Sequence, residues 1–128
     1  MEDLSIYLKP TYYIDYDSPL ISRMSEKIVS SHPDEKARTV FNFVRDRIIY
    51  NPYSAFYLPE QYPASRTLER GEGFCIQKAV LLAALARAHG IPARLVFADI
   101  KNYLIPPKLW NIMKTNIFAF HGYNELYI

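Results

Sequence analysis

The chain holds 128 residues, half of them apolar, enough for one core and too few for two ordinary domains, so residues 1–128 are read as a single domain. Fifteen Lys and Arg against thirteen Asp and Glu leave a formal charge of +2, scattered rather than gathered in one segment, which argues against nucleic acid as a partner. Met1-Glu2-Asp3-Leu4 is no basic lead into an apolar stretch, and no run approaches eighteen apolar residues, so nothing directs the chain to a membrane.

The single cysteine cannot make an internal disulfide, and a cytoplasmic localisation is the default expectation. Four glycines and nine prolines without a low-complexity run or a fixed-period repeat predict a chain that is globular throughout. Eleven tyrosines and seven phenylalanines exceed what so small a core needs, so some tyrosines are expected to line a groove or an interface.

Residues 4–16, rich in Tyr and Ile without a clear period, read as an extended arm or a short strand. Ser18 and Pro19 then form a helix start, and Ile21, Met24 and Ile28 fall on one face, predicting a helix to about Ser30. Pro33, Asp34 and Glu35 open a second helix, whose apolar stripe is Ala37, Val40, Phe41, Val44 and Ile48. Its other face, with Lys36, Arg38, Arg45, Asp46 and Arg47, reads as a solvated surface.

Residues 50–63 carry three prolines and five aromatics, so no helix or strand can run through them, and a long ordered loop with stacked aromatics is predicted. Ser65 to Glu69 makes one short helical turn before Gly71. Ile76 to His89 is apolar almost all round, which marks a helix enclosed by other elements, begun by Cys75 and ended by Gly90 and Pro92. Gln77 reads as a surface residue of that helix. Ala93 to Ile100 is predicted as a buried strand, residues 101–115 as an excursion in which Trp110 is an anchor, and Ile117 to Ile128 as an alternating strand. His121, Tyr123, Glu125 and Tyr127 fall on its more polar side.

The chemistry centres on Cys75, placed where a glycine-punctuated turn, Gly71-Glu72-Gly73-Phe74, meets the enclosed helix. The first turn of a helix offers unpaired N–H groups and the positive end of the macrodipole, which favour a thiolate. Without a base, Cys75 is an ordinary buried small hydrophobe. His121, on the later strand, supplies that base: a thiolate attacks, and a protonated partner serves the leaving group. His89, in the last turn of the central helix, reads as a structural partner of unpaired carbonyls, and His32 as solvent-facing. No histidine pair has metal-ligand spacing and one cysteine cannot build a zinc site, so no metal and no cofactor is expected.

Taken in order, Lys36-Ala37, Phe43-Val44-Arg45-Asp46-Arg47-Ile48, Thr67-Leu68, Gly71-Glu72-Gly73-Phe74-Cys75, Arg87-Ala88, Gly90-Ile91-Pro92-Ala93-Arg94 and His121-Gly122-Tyr123-Asn124-Glu125 resemble the transglutaminase-like superfamily over about residues 34–128. The resemblance implies an α+β, papain-like core. N-terminal helices and a central helix carrying Cys75 pack on a small antiparallel sheet that is expected to be incomplete at the C-terminus. It also implies a Cys75 nucleophile and a His121 base, with Tyr123 where the family commonly has Trp. The Cys75 N–H is the oxyanion donor, and Gln77 is a candidate for a second by proximity alone.

In the family an Asp or Asn on a following strand completes the triad, and that position has no counterpart before Ile128. Three explanations stand: the sequence is a piece of a longer protein, Asp99 substitutes from a neighbouring strand, or the site works as a dyad. The function implied is thiol-dependent acyl chemistry on amide or peptide bonds, by a cysteine protease, amidase or acyltransferase acting on a peptide or protein. The alternative is a weakly active or inactive module that binds peptides through the Tyr/Pro-rich loop at 50–63. The apolar final strand is also expected to pair with a second copy as a homodimer.

Overall fold

The computed structural model describes residues 3–53, 58–101 and 117–128, with side chains omitted at 98–101 and 117–121. It is an α+β fold built around one helix. Helices α1 (Pro19–Glu26), α2 (Pro33–Arg47), α3 (Ala64–Arg70) and α4 (Cys75–Ala88) are joined by two strand pairs. The first pair, β1 (Ile49–Tyr50) and β2 (Glu72–Gly73), is parallel and only two residues long. The second, β3 (Ala93–Lys101) and β4 (Ile117–Leu126), is antiparallel, from Ala93 opposite Leu126 to Lys101 opposite Ile117. A register irregularity lies between Ala98 and Ile100, at Asp99.

Helix α4 is the centre because it is apolar on every side. Leu81, Ala83, Ala84, Leu85 and Ala86 are fully buried, among Ile21 of α1, Val40 and Val44 of α2, Ala64 of α3 and Ala93 of β3. A Leu side chain removed from water in this way contributes about 1.5–3 kcal/mol, so the rod that begins at Cys75 is rigidly held. Gly90, at φ 76°, stops it in the left-handed conformation, and the N–H groups of His89, Gly90 and Ile91 satisfy its last carbonyls.

Helix α1 is shorter than the apolar spacing predicts. It ends at Glu26, with Lys27 as its cap, while Ile28 stays buried beyond it. Ser30 favours a turn: its hydroxyl accepts from the His32 N–H and donates to Glu35, offering the backbone an alternative to more helix. Helix α2 starts at Pro33 as expected, but Phe41, read as part of its apolar stripe, is 50% exposed.

Helix α3 is longer than one turn, and its start is capped from a distance. Pro63 has no capping side chain, so Asp15 accepts from both the N–H and the hydroxyl of Ser65, and Tyr13 O accepts from the Ala64 N–H at 2.8 Å. Residues 11–15 are thereby tied to the helix that leads into the Cys75 turn. Gly71, at φ 74°, ends α3 and turns the chain into β2.

The run Ala93–Ile100 is a strand, but over residues 93–97 it is not buried throughout: Ala93 is in the core, whereas Arg94 on one face and Phe97 on the other are exposed, Phe97 at 50%. Trp110 and most of the excursion between the strands lie outside the described residues, as do positions 54–57 of the Tyr/Pro-rich loop.

Candidate active site

Cys75 is the first residue of α4, and the local sequence dictates why. Gly73 is buried against Gln77, where a Cβ would stand 3.0 Å from both the Gln77 Cβ and Oε1, so only glycine lets the chain pass this close. Gln77 in turn accepts from the Phe74 N–H at 3.1 Å through Oε1 and donates to Gln61 O through Nε2 at 3.4 Å. The expected surface position of Gln77 is therefore wrong: its side chain is fully buried, because the orphan N–H groups of a helix start need an acceptor inside the protein. Its amide donates one N–H to Gln61 O, and the side chain is buried rather than among the described residues that line the cleft at Cys75. Among the described residues no acceptor meets the N–H groups of Cys75 or Ile76.

The thiol is neither buried nor fully exposed, and it opens into a cleft of about 230 Å³. Phe41, Val44 and Arg45 of α2 form one wall, Tyr50 of β1 another, and Gly122 and Asn124 of β4 a third, with Lys78, Ala79 and Leu82 continuing the helix floor. Burial raises the phenol pKa of Tyr50, although the residue is 45% exposed, and proximity to Cys75 raises it further. Tyr62 is raised in the same way, first by burial, then by Cys75 and Tyr13. Its ring meets Phe74 edge-on at 5.8 Å and Tyr13 at 6.3 Å, so the tyrosine excess does line the surroundings of the thiol.

Strand β4 crosses the first turn of α4. A Cβ at Gly122 would lie 3.2 Å from the Ile76 Cα, and the Asn124 amide donates to Ala79 O at 2.9 Å. His121 directly precedes Gly122 and pairs in register with Ala98. The backbone of position 121 is thus beside the start of the Cys75 helix, whereas the His121 and Asp99 side chains are outside the described ones.

Two further cleft residues escape a reading by motif. Lys78 lies three positions after Cys75, on the same face of the helix, and its ammonium donates to Ile48 O at 2.7 Å. Asn124 shares its side of β4 with Gly122, and helical periodicity was the available signal for Lys78 alone. His89, read as a structural partner of unpaired carbonyls, is half-buried at the end of α4 and hydrogen-bonds the backbone of Ser25 rather than its own helix. Among the described residues its buried Nε2 has no partner, and burial, then Lys36, pushes its pKa below the usual value, against a smaller opposing effect of the Ser25 bond. His32 is exposed, as read. Among the described residues no cluster of His, Cys, Asp or Glu could hold a metal, and no helix is long and apolar enough to cross a membrane.

A cysteine that opens a buried helix, crossed by an antiparallel strand pair, defines an α+β protein of papain-like architecture. The chain belongs to the transglutaminase-like superfamily, whose profile matches residues 22–128. It is similar in fold to a candidate cysteine protease from Cytophaga hutchinsonii, with a TM-score of 0.71 and 21% sequence identity over the whole of this chain. The chain spans 39% of that protein's length. No curated protein matches it significantly.

Proposed function

We propose that the protein carries out thiol-dependent acyl chemistry on amide or peptide bonds, with Cys75 as nucleophile and His121 as base. The observation that supports this most is the packing of Gly122 on Ile76, which brings the strand of His121 to the helix turn of Cys75. In the proposed step the Cys75 sulfur bonds to the carbonyl carbon, and the C–N bond then breaks. His121 takes the thiol proton and delivers it to the departing amine. Water or a second amine resolves the acyl-enzyme, giving hydrolysis or transfer. The N–H groups of Cys75 and Ile76, which meet no acceptor among the described residues, serve in this reading as oxyanion donors. Membership of the superfamily and the protease-like neighbour agree with this kind of enzyme.

The test is iodoacetamide labelling of the folded protein across pH. The expected result is that Cys75 labels faster than a free cysteine near neutral pH and that this advantage is lost in His121→Ala. A thiol that labels like free cysteine, with or without His121, overturns the assignment.

A further inference from the structure

We propose that Lys78 recognises a carboxylate close to the carbonyl that Cys75 attacks, so that the cleft selects an acidic substrate. This rests on the nucleophile assignment above and adds to it the chemistry of the molecule attacked.

Among the described residues that line the cleft, the charged side chains besides the Cys75 thiol are Arg45 and Lys78, both cationic, and none is Asp or Glu. The two cations differ in what already compensates them. Arg45 is on the rim, its guanidinium held by Asp46 at 2.8 and 3.1 Å, both side chains more than half exposed. Lys78 is half-buried, and among the described residues no carboxylate lies within ion-pair distance of it. Asp46 is the acid that acts on it electrostatically, and that carboxylate is committed to Arg45.

A lysine ammonium has three donors, and the Ile48 carbonyl takes one. Burial lowers the Lys78 pKa, the mark of a cation that has lost hydration without gaining a full partner. The Ile48 bond fixes the amine, and Lys78, three residues after Cys75 and on the same face of α4, lines the same cleft as the thiol. A substrate carboxylate entering beside Cys75 would complete the pair in a partly desolvated site, where a charge-assisted hydrogen bond is stronger than at an open surface.

The test compares two alkylating agents of the same reactive carbon, iodoacetate and iodoacetamide. Each places a group one carbon from the atom that sulfur attacks, with iodide leaving; the group is a carboxylate in one and a neutral amide in the other. The ratio of their rate constants cancels changes in thiolate fraction, and any contribution of the His121 imidazolium is common to all variants. The expected result is a ratio that falls on the order of fivefold in Lys78→Gln, stays within about twofold of wild type in Lys78→Arg, and changes less in Arg45→Gln. Matching thermal unfolding of the variants guards against a folding defect, and Lys78→Arg keeps the proposal testable if Lys78→Gln is unstable.

The same ratio in wild type and Lys78→Gln overturns the role of Lys78 while leaving the nucleophile intact. Failure of both reagents to modify Cys75 overturns the nucleophile assignment itself. The source of the carboxylate is read by protection of Cys75 from iodoacetamide. Protection by N-acetylglutamate α-amide points to an acidic side chain, protection by N-acetylalanine to a chain terminus, and protection by neither overturns the proposal.

Discussion

Gly122 of β4 rests on Ile76 of α4: a methyl group at position 122 would stand 3.2 Å from the Ile76 Cα and 3.1 Å from its Cγ1. The nearer atom belongs to a side chain that can turn, but the Cα belongs to a helix held on all sides by the core. Strand and helix must separate by a few tenths of an ångström for any larger residue. Gly122→Ala is therefore expected to cost about 1–3 kcal/mol in urea unfolding, the usual range for overpacking. Because position 121 moves with the strand, the same variant should label more slowly at Cys75. An unchanged urea midpoint together with unchanged labelling would show that strand and helix do not touch in solution.

Gln77 makes a second, separable prediction. Gln77→Ala removes the acceptor of the Phe74 N–H, the donor to Gln61 O and the volume beneath Gly73, an expected loss of about 2–4 kcal/mol. Gln77→Leu restores most of the volume but neither hydrogen bond, and should still lose about 1–3 kcal/mol. Equal stability of Gln77→Leu and wild type in urea denaturation would remove the capping role.

Cys75, Pro33, Pro19, Gly71 and Gly90 were legible as boundaries because each acts through its own backbone: proline fixes φ at a helix start and glycine permits the left-handed stop. The place of Cys75 at the head of the enclosed helix followed from them. The burial of Gln77 and the exposure of Phe41 and Phe97 are not legible in the sequence, because burial is decided by neighbours distant in sequence. An amide looks like a surface group until a helix end requires it inside, and an aromatic looks buried until the packing around it leaves half of it in water. The β1–β2 pair, two residues long, carries no period to read. Lys78 was within reach of periodicity, since it repeats the helix face of Cys75, whereas Asn124 falls out of step with His121 in the alternation of β4 and was not pointed to by it.

Arg87 of α4 clamps three segments. It donates to Ala93 O through Nε and a terminal nitrogen at 3.0 and 2.7 Å, and to Lys9 O at 2.7 Å, joining the end of the helix to β3 and to the N-terminal arm. Lysine has a point charge where this site uses a planar fork, so Arg87→Lys should keep part of the set and lose about 2–4 kcal/mol. Release of the arm gives a readout beyond stability: chymotrypsin should cut the variant after Tyr7, two residues before Lys9, under conditions where the wild-type arm survives. Equal survival of the Tyr7–Leu8 bond in the variant and the wild type would show that other contacts hold the arm.

His89 sets a pH dependence whose sign follows from its surroundings. Burial and Lys36 press its folded pKa below the ordinary value of 6.5, and its Nε2 has no acceptor to receive a second proton. Between the two values the unfolded chain binds more protons than the folded one, so stability rises with pH across that window. The contribution of a neutral His89 is complete above about pH 6.5 and is lost as pH falls from there toward the folded pKa. His89→Gln removes this titration while leaving the carboxylates unchanged. Urea midpoints measured at intervals from pH 8 to pH 5 should drop more steeply for the wild type than for His89→Gln, the two curves diverging only below about 6.5. Parallel curves throughout would mean that the imidazole finds a partner for its proton in the folded protein.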